Sequence, residues 1–70
     1  MTDSVYRVTE VIGSSTTSWE DAAKNAVETA AKTLRDLRIG EIVKLDLTIE
    51  DGHVAQYRAR VNVSFKYESN

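Results

Sequence analysis

Cysteine and proline are absent from this 70-residue chain, and histidine occurs once, at position 53. Without cysteine there is no disulfide and no thiolate ligand, and His53 alone cannot form a zinc site of the Cys/His kind. A domain this small, lacking both disulfides and a structural metal, usually needs tight packing or self-association for its stability. The sequence therefore predicts a homo-oligomer.

Long runs of one charge or of apolar residues are absent too. The net charge is -2, and 29% of the residues are charged, with both signs interspersed, whereas nucleic-acid-binding proteins carry a basic patch. No stretch approaches the roughly 18 apolar residues of a membrane span, and residues 1–4 lack the features of a signal peptide. We therefore expect a cytoplasmic protein that binds neither nucleic acid nor membrane.

The chain from Glu41 to Tyr67 has the pattern of one long β-hairpin. Apolar residues take the odd positions of both arms, and this period of two gives each strand one apolar face. These positions are Val43, Leu45, Leu47 and Ile49, then Tyr57, Ala59, Val61, Val63, Phe65 and Tyr67. Between the arms, Asp51-Gly52 accepts the positive φ angles of a type I′ turn. The apolar face needs a cover, because such a hairpin is not stable alone.

The first half of the chain supplies a further strand and that cover. Residues 5–13 are rich in β-branched residues and predict a strand with apolar side chains on both faces, followed by a loop over residues 13–17. Ser18 is a suitable N-cap, and apolar residues then recur at three- and four-residue steps to about Leu37, which predicts an amphipathic helix. The predicted fold is α+β: one domain over residues 1–70, with β-α-β-β order and a three-stranded antiparallel sheet packed on one helix.

Two features of the predicted fold allow more than one interpretation. The polar face of the sheet is either solvated, or it is a subunit interface or ligand wall, since a sheet covered on one side favours assembly. That face is predicted to carry Lys44, Asp46, Glu50, Arg58, Arg60 and Lys66. Trp19 is either a core or interface anchor or a platform for a planar ligand.

No set of residues with catalytic spacing is present. The three glycines do not have a phosphate-binding arrangement, the single His53 follows a turn, and carboxylate pairs such as Glu50/Asp51 arise readily by chance. The sequence therefore predicts that the protein is not an enzyme. Scattered carboxylates leave calcium open as a ligand, although no EF-hand loop is present.

Taken in order, these segments resemble the dodecin family. The resemblance covers about residues 5–68 and is carried by YRVTEVIGSS, SWEDAAKNAVETAAKTLRDL, GEIV and VNVSFKYE. It implies a hollow homododecamer of cubic symmetry. It also implies ligand storage, because flavin-binding dodecins hold riboflavin or FMN in pairs at subunit interfaces without catalysing a reaction.

Three positions depart from the flavin-binding pattern. The second strand starts with Ile39-Gly40-Glu41-Ile42, where flavin-binding members have Trp-Phe-Glu-Val and stack the tryptophan on the isoalloxazine ring. Arg58 falls where a glutamine contacts the polar edge of the flavin, and an arginine offers no acceptor. Asp46 falls where some members place an arginine for the FMN phosphate. The pocket equivalents are therefore Ile39, Glu41, Asp46 and Arg58, and we expect flavin binding to be weak or lost.

The helix start Thr-Ser-Trp-Glu, the Arg-Ile stretch at residues 38–39 and the ending Val-Ser-Phe-Lys resemble instead the branch called calcium dodecin. That branch lacks the flavin-stacking tryptophan. The function is then either a small-ligand storage shell with poor flavin affinity or a cation-binding or purely structural shell, with a functional flavin store as a further alternative. The cofactor is correspondingly a flavin (FMN or riboflavin) or calcium, and the metal ligands are unassigned.

Overall fold

The computed structural model describes residues 5–66, in which one helix packs on one sheet. In chain order the elements are β1 (Tyr6–Ser15), α1 (Trp19–Ala30), β2 (Leu37–Glu50) and β3 (His53–Lys66). The strands are antiparallel in the spatial order β1-β3-β2, so β3 is the central strand. The predicted β-α-β-β order, antiparallel sheet and single helix are confirmed. Tyr67, predicted to be in the second hairpin arm, lies outside the described residues.

The helix starts where the sequence predicts and ends earlier. Ser18 is extended, with φ -166°, and its Oγ accepts a hydrogen bond from the Asp21 backbone N–H at 3.0 Å, as an N-cap does. The predicted end near Leu37 is wrong, because α1 stops at Ala30 and Leu37 opens β2 opposite Phe65. Leu37 fits the helical spacing of apolar residues, but in the structure it pairs with Phe65 on β3. Among residues 5–66, no helix has the length and hydropathy to cross a bilayer.

The core lies between α1 and the strands β1 and β3. Its fully buried members are small: Ala22, Ala26, Ala30, Ala59, Val61 and Val63. Gly13 permits the close approach of helix and strand, since a Cβ at that position would lie 2.8 Å from the Ala26 Cβ. Strand β1 also runs past its predicted end at Gly13 to Ser15, which pairs with Tyr57. The helix therefore rests on β1 and β3 and hardly touches β2.

The hairpin turn is confirmed, whereas strict alternation along β2 is wrong. Asp51 and Gly52 have φ angles of 51° and 76°, both positive as a type I′ turn requires. Register shifts interrupt the pairing of β2 with β3, one of them between Ile42 and Lys44. This β-bulge puts Ile42 on the helix side, opposite Val61, although its even position predicts the polar face.

Large apolar side chains stay exposed on both sides of the sheet. On the helix side, Ile42 and Leu45 are 52% and 45% exposed, because α1 does not cover β2. On the other side, Val8, Ile12 and Ile39 are 61%, 51% and 59% exposed. Groups of exposed apolar side chains on a protein surface mark contact sites, so the fold indicates contacts with other molecules.

Candidate functional site

The side of the sheet facing away from α1 carries most of the polar strand residues, and we call it the open face. Residues paired across strands share a face, so the register arranges the open face in rows with one residue each from β1, β3 and β2. The ion-pair row is Ser14, Arg58 and Asp46, and the basic row is Ile12, Arg60 and Lys44. The acidic row is Glu10, Asn62 and Glu41, and the apolar row is Val8, Ser64 and Ile39.

A two-pronged ion pair joins Asp46 to Arg58. Arg58 Nε donates to Asp46 Oδ1 and Arg58 Nη2 donates to Asp46 Oδ2, each at 2.7 Å, a geometry that fixes the planes of both groups. The hydrogen bond from Arg58 lowers the pKa of Asp46, and the positive charges of the basic row lower it further. Asp46 in turn raises the pKa of Arg58. At neutral pH the pair is therefore a fully charged unit of fixed orientation, screened by water because its side chains are about two-fifths exposed.

Trp19 ties the start of α1 to the backbone of the same aspartate. Its Nε1 donates to the Asp46 carbonyl oxygen at 3.1 Å, and its ring meets the Tyr57 ring edge to face, with centroids 5.2 Å apart. The indole thus reaches from the first residue of the helix across β3 to β2. These are the contacts of an anchor between helix and hairpin, one of the two roles that the sequence allowed.

The basic and acidic rows are neighbours with opposite charge. Arg60 stands directly opposite Lys44, and like charges at such positions are unfavourable. One ion pair links the two rows, from Arg60 Nε to Glu10 Oε1, and at 3.9 Å it is long. Within residues 5–66, Lys44 and Glu41 have no ion-pair partner. Within the described part of one chain, the charges of these two rows are therefore unpaired or only weakly paired.

All of the pocket residues predicted from the sequence lie on the open face, but one chain does not bring them together. Asp46 and Arg58 touch, whereas Glu41 and Ile39 lie farther along the sheet, in the acidic and apolar rows. Ser64, which pairs with Ile39, stands about 20 Å along β3 from Arg58, at roughly 3.3 Å per residue. A single isoalloxazine ring does not span that length. Ligand contact by these residues stays a prediction.

Sequence reasoning missed the rows themselves and the part that Glu10 has in them. Their arrangement depends on β3 lying between β1 and β2 and on the bulge at Val43, which lets both Glu41 and Lys44 face the same side. Alternation by itself puts residues of odd and even number on opposite sides. The charged residues of each strand are visible in the sequence. Which of them pair across neighbouring strands is not.

A groove of about 650 Å³ lies on the other side of the molecule, between α1 and the outer edge of β1. Val11, Ser14, Asn25 and Thr29 are among its lining residues, none of which is titratable. The Asn25 side-chain amide donates to the Ser14 carbonyl oxygen at 3.1 Å. The groove offers shape and neutral hydrogen-bonding groups, and none of the predicted pocket residues lines it.

A metal centre is not preformed in the described part of the chain. Residues 5–66 contain no group of three or more His, Asp or Glu side chains close enough to share an ion. The open face offers Asp46, Glu10 and Glu41 as oxygen donors. Glu10 and Glu41 stand on the two outer strands of the acidic row, and Asp46 lies in the ion-pair row.

Comparison with known proteins agrees with this architecture and with the segments that carry the resemblance. The sequence profile of the Dodecin family matches residues 5–68. The chain belongs to the dodecin family. It is 40% identical over 63 residues to the calcium dodecin of Mycobacterium tuberculosis, covering 90% of this chain and 89% of that relative.

Solved dodecin structures have the same fold. The dodecin from Streptomyces coelicolor is 38% identical, with a TM-score of 0.89 over the full length of both chains. The calcium dodecin from Mycobacterium tuberculosis is 37% identical, with a TM-score of 0.80 over 94% of each chain. That protein is described as calcium-chelating, with a novel calcium-binding site. Dodecins are ligand-binding and storage proteins, and the homologues indicate that this chain assembles with copies of itself.

Proposed function

We propose that this chain is the subunit of a homododecameric shell that binds and stores a small ligand, and that it binds flavins weakly. The observation that carries this proposal is the ion pair between Asp46 and Arg58. By our alignment to the flavin-binding pattern, Arg58 corresponds to an amide that contacts the flavin, and Asp46 corresponds to a cation that binds the phosphate. Here Arg58 offers no acceptor and is held by Asp46, whose negative charge repels a phosphate.

The third element of the proposal is the missing stacking surface. Ile39 is 59% exposed and presents an aliphatic side chain where the resemblance implies a tryptophan. Stacking of a planar ring on an aromatic side chain contributes about 1–3 kcal/mol by analogy with nucleobases. The loss of this contact and the closed ion pair both act against ordinary flavin binding.

In this proposal each ligand site is shared between copies. Ile39 and Arg58 of one chain are too far apart to contact the same ring, as their register with β3 shows. A second copy running in the opposite direction supplies the missing residue. The protein then works in the cytoplasm as a ligand buffer, catalyses no reaction, and needs neither nucleic acid nor membrane.

A flavin titration of the assembled protein tests the proposal. Riboflavin and FMN fluorescence is followed against increasing protein, with the mass of the assembly checked by sedimentation in the same buffer. We expect the protein to quench riboflavin fluorescence weakly and FMN fluorescence still more weakly, because only FMN carries a phosphate that Asp46 would repel. Strong, saturable quenching of either flavin would show instead a functional flavin store with another stacking partner.

The relatives favour a second candidate function, which is calcium binding. One of them, the calcium dodecin of Mycobacterium tuberculosis, matches most of the chain in both sequence and structure. Calcium takes about 6–8 oxygen ligands, and the described part of one chain has no cluster of three acidic side chains, so a site of this kind would draw on several copies. Calorimetric titration of the assembly with calcium, with magnesium as the comparison cation, tests it. A purely structural shell would give no heat with either cation and no flavin quenching.

A further inference from the structure

We propose that Thr48 and Gln56 recognise an uncharged group of the ligand, with Gln56 as the contact residue and Thr48 as the positioning residue. This inference rests on the proposed function, because it names the ligand chemistry that the open face selects. The two residues stand opposite each other on β2 and β3. They lie one step past the ion-pair row, beyond Ser15, where β1 ends.

An unpaired hydroxyl group marks this position. Thr48 Oγ1 is buried and has no hydrogen-bond partner within residues 5–66. Buried polar groups in folded proteins nearly always have a partner, and a buried hydroxyl group without one lowers stability. The hydrogen-bonding capacity of Thr48 is therefore available to another group.

The Gln56 side chain brings a second unused group to the same place. Residues opposite each other on antiparallel strands have Cβ atoms about 4.5–5.5 Å apart on one face, so the Gln56 amide can reach the Thr48 hydroxyl. Within the described part of the chain, this amide has no hydrogen-bond partner. A hydrogen bond from Gln56 Nε2 to Thr48 Oγ1 fixes the amide and leaves its Oε1 and one N–H for a ligand.

The charges around this pair select an uncharged ligand group. Arg58, about 7 Å from Gln56 at roughly 3.3 Å per residue of β3, is already held by Asp46. Glu50 lies two residues after Thr48 on the same face of β2, and its carboxylate repels anions. An amide and a hydroxyl group both donate and accept hydrogen bonds without charge. The matching ligand group does the same, as an imide or a hydroxyl group does.

Gln56 thereby supplies the acceptor that Arg58 lacks. The two residues are separated by one position on β3, so their side chains lie on the same face of the sheet. The polar contact of the ligand is then displaced by one residue pair towards the hairpin turn. Ligands without a phosphate keep a polar partner on this face, whereas FMN still meets the charge of Asp46.

Two substitutions of matched shape test the recognition. Gln56→Met keeps the length of the side chain and removes the amide, and Thr48→Val keeps the branching and removes the hydroxyl group. Both are made in the Ile39→Trp variant, in which the added stacking surface strengthens flavin binding. We expect each to weaken riboflavin binding, measured by fluorescence quenching, by about 2- to 12-fold, the effect of one neutral hydrogen bond.

Lumiflavin shows which part of riboflavin is recognised, because it has the imide and lacks the hydroxyl chain. If Gln56→Met weakens lumiflavin and riboflavin binding equally, the amide contacts the imide. If it weakens riboflavin binding alone, the amide contacts the hydroxyl chain. Both results support the assignment of an uncharged ligand group.

Urea unfolding separates positioning from a purely structural role. Because the Thr48 hydroxyl has no described partner, Thr48→Val should unfold at the wild-type urea concentration or at a higher one. Thr48→Ser keeps a hydroxyl group and should keep the riboflavin affinity that Thr48→Val loses. Thr29→Val is the control, since Thr29 is exposed on α1 and its substitution should leave riboflavin affinity unchanged.

The contrary outcomes distinguish this recognition from the storage function. If Gln56→Met or Thr48→Val leaves riboflavin affinity unchanged, the recognition is overturned and the storage function stands. If Thr48→Val lowers the urea concentration of unfolding or the sedimentation mass, the hydroxyl group is structural and the recognition is overturned. If the assembled Ile39→Trp variant binds neither flavin, the flavin site and the recognition fail together.

Discussion

Asp46 and Arg58 face each other across β2 and β3, and two hydrogen bonds of 2.7 Å join the carboxylate to the guanidinium. The backbone of the same aspartate accepts the Trp19 indole N–H, so the pair is connected to the start of the helix. Because Asp46 holds Arg58, the pair leaves no unpaired cation for a phosphate to bind. We therefore expect a ligand site that includes this pair to disfavour the phosphate-bearing flavin.

Asp46→Asn should make the stability of the protein less sensitive to acid. The folded-state pKa of Asp46 lies below its ordinary value of 3.8, so its contribution to the free energy of unfolding is complete above that value. That contribution is lost as the pH falls through the lowered pKa. Urea unfolding between about pH 5 and pH 2 measures the difference. The wild type should lose stability that Asp46→Asn does not lose, and equal losses in the two proteins would contradict the prediction.

Asp51→Asn is the matched control for that experiment. It also removes one carboxylate, and asparagine tolerates the positive φ angle of 51° that Asp51 adopts in the turn. Asp51 lies outside the described ion pairs. Its acid sensitivity should follow that of the wild type.

Ile39→Trp combined with Arg58→Gln should create or tighten flavin binding. Adding Asp46→Asn should raise the affinity further. The tryptophan supplies a stacking surface, the glutamine supplies an acceptor, and the third change removes an aspartate left without its partner. Stacking alone at about 1–3 kcal/mol corresponds to a tightening of about 5- to 150-fold. Fluorescence quenching measures the dissociation constants. No gain in an assembled triple variant would show that these positions do not form the pocket.

The added Asp46→Asn change has a signature of its own. It removes a negative charge that repels the FMN phosphate and does not act on uncharged riboflavin. The affinity for FMN should therefore rise more than the affinity for riboflavin. Rising salt should reduce this difference by screening. Equal improvement of both flavins would place the phosphate away from Asp46.

Gly13→Ala should destabilise the fold by about 1–3 kcal/mol, the usual cost of overpacking. The new Cβ would lie 2.8 Å from the Ala26 Cβ and against the backbone of α1, so helix and strand must separate. Gly40→Ala is the comparison, because its Cβ would lie 3.2 Å from a Val27 side-chain methyl group and would meet no backbone atom of another segment within 4 Å. Chemical unfolding at equal protein concentration should show the larger loss for Gly13→Ala. A larger loss for Gly40→Ala would contradict the close approach of α1 to β1.

Trp19→Phe should lower the free energy of unfolding by about 0.5–1.5 kcal/mol, since it removes the hydrogen bond to the Asp46 carbonyl oxygen and keeps an aromatic ring. Circular dichroism follows unfolding, because the variant has no tryptophan left. Tyr57→Phe, which keeps the edge-to-face contact, should remain close to the wild type. If both variants unfold at the wild-type denaturant concentration, Trp19 is not an anchor.

Elements that depend on residues close in sequence were predictable. The Asp51-Gly52 turn was found because few residues accept two consecutive positive φ angles, and Ser18 because its hydroxyl can reach a backbone N–H in the first turn. The helix end was not predictable in this way. Leu37 fits the helical spacing, yet it pairs with Phe65, and this pairing between distant parts of the chain decides where β2 begins.

The sequence by itself determined the type and order of the elements, the turn, the N-cap and the family resemblance, because local backbone preferences and side-chain periodicity specify them. Only the tertiary structure decided the order β1-β3-β2, the bulge at Val43 and therefore which charges stand side by side. Those features arise from pairing energies between residues far apart in the chain. The contact between Asp46 and Arg58 and the separation of Ile39 from both depend on that register.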